Sequence, residues 1–250
     1  MINQKTDIAT IRVALAGYGQ MGKEIERCAP ERNAVIAERF DSASGIRPDS
    51  GNNFDVAIEF TRPDAAVANI TTLIAMGKPV VVGTTGWLDR LPEIERLVRE
   101  RNGRLIHASN FSIGVNIFLG IVAEAGRLMN DQAMYDAAVH EIHHVRKADS
   151  PSGTALSIAS VLLRELDRKS HILAETSHGR IEPDALHLTS QRLGATVGTH
   201  AVLFDSEADT VELTHRAKNR SGFALGALLA ARWIIDQPSG VYRFEDIFRG

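Results

Sequence analysis

The densest acid–base potential in the chain lies in His140-Glu141-Ile142-His143-His144-Val145-Arg146-Lys147-Ala148-Asp149, followed at once by Ser150-Pro151-Ser152-Gly153-Thr154-Ala155. Imidazole is a side chain suited to acid–base work near neutral pH, Lys147 offers a positive charge and a transferable proton, and Ser152-Gly153-Thr154 entering a helix offers N–H groups and a hydroxyl to a carboxylate. His140 to His144 also spells H-E-x-x-H, a zinc-hydrolase pattern that needs its two outer histidines on one helix face. A second motif, Gly17-Tyr18-Gly19-Gln20-Met21-Gly22, has the spacing of a turn that cradles a pyrophosphate.

These residues must be positioned by the elements around them. Ile11 to Ala16 is a short apolar run readable as a buried strand, the glycine motif follows it, and a helical stretch runs to about Ala29. Val35 to Phe40 is a second strand with Asp41 at its end. In this unit Gly17 permits the tight turn, Gly19 admits a pyrophosphate, Gly22 lets the helix pack closely, and Asp41 accepts hydrogen bonds from ribose hydroxyls. The unit therefore predicts dinucleotide binding. Strand and helix keep alternating to Arg104–Ala108, which implies a doubly wound parallel sheet. Ligands of such sheets sit beyond the carboxyl ends of the strands. Phe60-Thr61-Arg62, Gly83-Thr84-Thr85-Gly86 and Ala108-Ser109-Asn110-Phe111 fall there.

Beyond Asn110 the pattern changes. Val115 to Met129 reads as a long apolar helix with Ile117, Ile121, Ala125 and Leu128 on one face. Tyr135 to His144 reads as a strand, with Val139, Glu141 and His143 on one side and His140 and His144 on the other. A strand separates His140 from His144 by about 13 Å at ~3.3 Å per residue, too far for one zinc ion. No metal is expected. A helix begins near Pro151 or Ser152 with the stripe Ala155, Ala159, Leu162 and Leu166. Ala185–Leu193, Val197–Asp205 and Asp209–His215 are strand-like runs of a mixed or antiparallel sheet, Ser221 to Ile235 is a final helix, and Gly240 to Phe248 a short tail. The fold expected is α/β: a doubly wound parallel sheet in residues 1–110 and 220–250, and a second α+β domain in 111–219.

Composition sets broad limits. Over 250 residues, 44% hydrophobic and 24% charged content is ordinary for a globular chain, and a net charge of −3 gives no general pull toward nucleic acid. The single cysteine, Cys28, rules out an intrachain disulfide and reads as buried packing. A polar Met1–Thr10 and the lack of 18 consecutive apolar residues give the expectation of a cytoplasmic protein without a membrane span. His171, His178, His187 and His200 read as surface or satisfied histidines, and Arg220 as a possible carboxylate contact.

The run Glu141 to Ala155 resembles the signature of the dihydrodipicolinate (4-hydroxy-tetrahydrodipicolinate) reductases of lysine biosynthesis. The resemblance extends to the glycine turn with Met21, Phe60-Thr61-Arg62-Pro63, Gly83-Thr84-Thr85-Gly86, Asn110 to Asn116, Thr214-His215-Arg216-Ala217 and Gly240-Val241-Tyr242. It implies a Rossmann-like domain, a substrate domain through which a homotetramer is built, and reduction of a small dicarboxylate by NADH or NADPH. His143 would be the acid–base histidine and Lys147 the proton donor, while His144, Gly153 and Thr154 would bind substrate carboxylates. Gly17 to Gly22, Asp41, Gly83 to Thr85 and Ala108 to Phe111 would bind the dinucleotide. Two departures stand out. The glycine turn is one residue shorter than the family's commoner form, and Ser42 stands where many members carry an arginine suited to a 2′-phosphate. An acid without a neighbouring cation repels that phosphate, which favours NADH; Arg39 and Arg47 are the cations able to reach in. The competing readings are a related dehydrogenase of another amino or imino acid, and a dinucleotide sensor without turnover.

Overall fold

The computed structural model describes residues 9–41, 44–47 and 53–248. The chain divides into two compact units, 1–113 with 220–250 and 114–219.

The first unit is built on a six-stranded sheet. Its strands are β1 (Ile11–Ala16), β2 (Ala34–Phe40), β3 (Val56–Glu59), β4 (Val80–Val82), β5 (Arg104–His107) and β11 (Gly240–Arg243), ordered β11-β5-β4-β3-β1-β2 and all parallel. Period-2 alternation sorts the side chains to two faces. Val13, Leu15, Ile58, Val81 and Ile106 pack with α1 (Gln20–Cys28) and α6 (Ser221–Ile235). Ala14, Ala57, Val80, Val82 and Leu105 pack with α2 (Pro63–Ala75) and α3 (Leu91–Arg101). Strands buried on both faces explain the near-continuous apolar runs. The order reverses at β1, whose neighbours β2 and β3 lie on opposite sides, so the crevice expected of such sheets opens beyond β1 and β3. The segment read as a tail supplies β11 instead: its backbone pairs with β5 from Gly240 to Arg243, a pairing too distant in sequence for local pattern to reveal. Cys28 is buried, as expected.

The second unit is a five-stranded mixed sheet, β10-β9-β6-β8-β7, flanked by α4 (Ile113–Asn130) and α5 (Gly153–Glu165). Here β6 (Asp136–His143) pairs parallel with β8 (Ala185–Arg192) and antiparallel with β9 (Gly198–Asp205). The outer strands are β10 (Thr210–Ala217) and β7 (His171–Leu173), the latter a short strand not foreseen from sequence. Ala137, Val139, Leu186, Leu188, Val202 and Phe204 form the core with α5, whose expected stripe Ala155, Ala159, Leu162 and Leu166 is fully buried.

The expected face of α4 is a correction. Val115, Phe118, Val122 and Gly126 are the buried positions, whereas Ile117, Ile121 and Leu128 are about half exposed. The helix is apolar nearly all round, so periodicity alone does not select the packed side. Gly126 does select it: a Cβ there would lie 2.9 Å from Glu165 Cβ on α5. Among the described residues α4 is also the one helix long and apolar enough to cross a membrane by length and composition.

Candidate active site

In the first unit the glycine turn joins β1 to α1, and each glycine has a different reason. Gly17 sits at φ +95°, and a Cβ on it would meet the Phe60 carbonyl oxygen at 2.1 Å. A Cβ on Gly22 would lie 2.4 Å from the Gly17 oxygen, so Gly22 lets the helix close on the turn itself. A Cβ on Gly19 would meet nothing within 4 Å. Gly19 caps α1 without any side-chain hydrogen bond, leaving the positive end of the helix presented to a ligand.

That end opens into a cleft of about 370 Å³ lined by Gly19, Gln20, Met21, Phe60, Thr61, Pro63, Gly83, Thr84 and Thr85. A second hollow of about 270 Å³ shares Gln20, Met21, Phe60 and Gly83 and continues to Ser109, Asn110, Phe111, Arg220 and Phe223. Of the residues expected to bind a dinucleotide, Gly19, Gln20, Met21, Gly83, Thr84, Thr85, Ser109, Asn110 and Phe111 come together here. Ala108 lies just beyond β5 and donates its N–H to the Val82 carbonyl at 3.3 Å. Tyr18 turns from the cleft toward Glu26 and Arg39, while Gly17 and Gly22 shape the turn. Asp41 lies past the end of β2, where Oδ1 accepts hydrogen bonds from Ser44 N at 2.8 Å and Ser44 Oγ at 2.9 Å. Ser42 lies outside the described residues. Arg220, read as a carboxylate contact, donates to the Gln20 side chain.

Beneath the cleft sits a residue that the sequence reading missed. Glu59, fully buried at the end of β3, accepts hydrogen bonds from the Thr61 hydroxyl and from Asn69 Nδ2 at 3.3 Å. Burial pushes its carboxyl above the usual range, against the opposing hydrogen bonds of Thr61 and Thr84. Thr61 N donates to Thr84 Oγ1 at 2.7 Å, so the β3 and β4 turns are tied into one floor. An acid ending an otherwise apolar strand was the available signal.

In the second unit β6 alternates as read, with Val139, Glu141 and His143 on the buried face. Glu141 is completely buried, and its Oε1 accepts from Ser152 N at 3.0 Å, Ser190 Oγ at 2.8 Å and both Arg192 terminal nitrogens at 3.3 Å. Its other oxygen, Oε2, lies 3.0 Å from His143 Nδ1 and 3.8 Å from His200 Nε2. The His143 contact is close in distance without the alignment of a hydrogen bond. Burial is the largest single influence and opposes the charged carboxylate, yet the Ser152 and Ser190 donors and His143 together outweigh it and hold Glu141 below its ordinary pKa. Burial also drives His143 below its ordinary value, with Glu141 partly opposing and Lys147 and Arg192 reinforcing. His200 is pushed down to about 4, chiefly by burial and then by His143.

Lys147 and the helix start flank this core. Lys147 Nζ pairs with Asp149 Oδ1 at 2.8 Å, and Arg192 Nη2 donates to the Asp149 carbonyl at 2.6 Å. Ser152 caps α5 by accepting from Ala155 N at 3.1 Å, and its Oγ lies 3.2 Å from His200 Nε2. Gly153 and Thr154 form the first turn of α5, at its positive end. His144 follows β6 and is half-buried. His140 faces the opposite side of the sheet, with Nδ1 2.8 Å from Thr189 Oγ1, so it does not join His143. Glu141, Ser190, Arg192 and His200 were not singled out as site residues. A charged side chain on the apolar face of β6 signals that partners must exist, but their identity is set by the register of β8 and β9.

Residues 11–111 match the family model described as dihydrodipicolinate reductase, N-terminus, and residues 114–248 match dihydrodipicolinate reductase, C-terminus. The chain belongs to the dihydrodipicolinate reductase family. It is 38% identical over 240 residues to a 4-hydroxy-tetrahydrodipicolinate reductase of Christiangramia forsetii, covering 95% of this chain and 97% of that one. It is 35% identical over 205 residues to one from Methanopyrus kandleri, covering 81% and 74%. The fold is that of the dipicolinate-bound dihydrodipicolinate reductase from Paenisporosarcina sp. TG-14, with TM-score 0.74, 24% identity and coverage of 95% and 99%. As a member of this family, the protein is an NAD(P)H-dependent oxidoreductase that reduces 4-hydroxy-tetrahydrodipicolinate in lysine and diaminopimelate biosynthesis.

Proposed function

We propose that His143 and Lys147 carry the proton chemistry of this reduction, and that His144, Gly153 and Thr154 receive the carboxylates of a small dicarboxylate substrate. The observation that carries this reading is the buried Glu141 carboxylate, which touches both His143 and the Ser152 N–H and so fixes the histidine relative to the start of α5. A dipicolinate-bound relative supports a dicarboxylate as the ligand. Bound NAD(P)H supplies a hydride to the conjugated C=C–C=N system of the substrate, and the enamine-like carbon left behind needs a proton. Lys147, paired with Asp149 beside Arg192, attracts the dianion and donates that proton. His143 holds or returns a proton at its ring, and the α5 terminus contributes its positive dipole end to a carboxylate.

The first unit is the dinucleotide-binding domain, and the residues there fit the group. Gly19 leaves open space at an uncapped helix terminus, and Gly83 to Thr85 with Ser109 to Phe111 line the adjoining hollows. Asp41 at the end of β2 receives the adenine ribose and favours NADH. The second unit binds substrate and builds a homotetramer; the exposed apolar side chains Ile117, Ile121 and Leu128 support an assembly through it. The protein works in the cytoplasm.

The test is a coupled assay that follows NAD(P)H loss with the condensation product of pyruvate and aspartate semialdehyde, run on the wild type and on H143A and K147A. Turnover that persists at the wild-type rate in both variants removes these residues from the chemistry.

A further inference from the structure

The glycine turn carries a charge arrangement that the reaction does not require. Tyr18 stands between Gly17 and Gly19, and its hydroxyl donates to Glu26 Oε2 on α1. Arg39 on β2 reaches the same carboxylate through Nη2 to Oε1 and through Nε to Oε2 at 3.4 Å, while its guanidinium carbon lies 5.7 Å from the centre of the Tyr18 ring. One carboxylate thus holds a phenol and a guanidinium together beside the turn. The arginine is 42% exposed and the glutamate 30%, so both remain open to solvent and to a ligand.

Arg39 is placed two residues before Asp41. Arg39 is the penultimate residue of β2 and Asp41 follows its last, so their backbones lie roughly 6–7 Å apart at the carboxyl end of the strand. A guanidinium at that position is within reach of a phosphate on the ribose that Asp41 receives, and its fork geometry suits a phosphate better than any other side chain does. The fork is instead spent on Glu26. The carboxylate holds Arg39 more firmly protonated, and Arg39, then Tyr18, hold Glu26 below its ordinary pKa, so each is kept in its charged form.

We infer that Glu26 is a specificity-determining residue for the dinucleotide: with Tyr18 it engages the Arg39 guanidinium and withholds it from a 2′-phosphate, so that NADH is favoured over NADPH. The inference rests on Asp41 receiving the adenine ribose. Asp41 repels the phosphate, and the Glu26 clamp removes the cation that would compensate. Glu26→Gln keeps an oxygen for the Tyr18 hydroxyl but deletes the charge, so Arg39 is released.

The experiment measures Kd for NADH and for NADPH by titration of the full-length protein without substrate, in the wild type, E26Q, R39L and E26Q/R39L. E26Q is expected to tighten NADPH about tenfold, with NADH nearly unchanged, and the double variant is expected to lose that gain. R39L alone, a change at an exposed position, should leave NADPH affinity within about twofold of wild type. An E26Q protein with an unchanged NADPH/NADH ratio overturns the inference, as does an R39L protein that binds NADPH tenfold more weakly, because Arg39 would then already serve the phosphate. A wild-type preference for NADPH together with a silent R39L instead overturns the assignment of Asp41. The two failures therefore leave different patterns across the four proteins.

Discussion

Glu141 Oε2 lies 3.0 Å from His143 Nδ1, between two side chains that solvent barely reaches. The pair stands two residues apart on the buried face of β6, and the other carboxylate oxygen is anchored to α5 and β8 through Ser152, Ser190 and Arg192. The histidine is therefore held by a carboxylate that cannot itself swing away. Glu141→Gln removes the larger of the two influences that raise the His143 pKa while burial still lowers it, so the pKa of His143 falls further. The expected outcome is a kcat roughly 10- to 100-fold lower, with the acid limb of the pH–rate profile moved to lower pH. An unchanged profile in a folded E141Q protein counts against this role.

Lys147→Ala is expected to lower kcat by about two orders of magnitude or more, because the variant lacks the proton donor proposed for the enamine carbon. Lys147 belongs to the second unit, and the two hollows proposed for the dinucleotide are lined by residues of the first. NADH affinity, measured by titration, should consequently stay close to wild type. A comparable loss of NADH binding would assign Lys147 a different task.

His200 gives the stability of the protein a predictable pH dependence. Its pKa falls from an ordinary 6.5 to about 4 in the folded state, chiefly through burial. Between those values the unfolded chain binds more protons, so stability is full above 6.5 and is lost as pH falls toward 4. The depressed His143 acts in the same direction. Denaturant midpoints taken at about pH 7.5 and about pH 5 should therefore drop in the wild type, and the drop should shrink in His200→Gln. Equal slopes in the two proteins would contradict the assignment.

Gly17 and Gly19 should separate folding from binding. Gly17→Ala places a methyl 2.1 Å from the Phe60 oxygen at a left-handed φ, and a loss of roughly 3 kcal/mol is expected in denaturant unfolding. Gly19→Ala meets no neighbour at φ −80°, so stability should change by only about 0.5 kcal/mol. Its methyl nevertheless enters the space a pyrophosphate would occupy, and dinucleotide Kd should rise tenfold or more. A Gly19→Ala protein that binds normally would move the pyrophosphate elsewhere.

Local pattern was enough for the glycine turn and for most strands of the two sheets, but not for β7 or for the pairing of β11. The run from Ile11 to Asp41 carries its own spacing signal, and the alternation of Val139, Glu141 and His143 correctly separated His143 from His140. It also turned the H-E-x-x-H reading aside, because a strand does not bring His140 and His144 together. The packed side of α4 was not legible: Ile117, Ile121 and Leu128 are as apolar as the buried row, and only the close approach of Gly126 to Glu165 distinguishes the two.

The amino-acid sequence by itself determined the strand, glycine turn and helix at the start of the first unit, the presence of His143 and Lys147 on one short segment, and through its long signature the family. These are properties of residues near one another in the chain, where spacing and backbone period act directly. The tertiary structure alone decided which groups surround Glu141, the pairing of β11 with β5, and the capture of Arg39 by Glu26. Each joins elements distant in sequence. Their contact depends on strand register and on which helix face packs, and both are fixed only when the whole core is assembled.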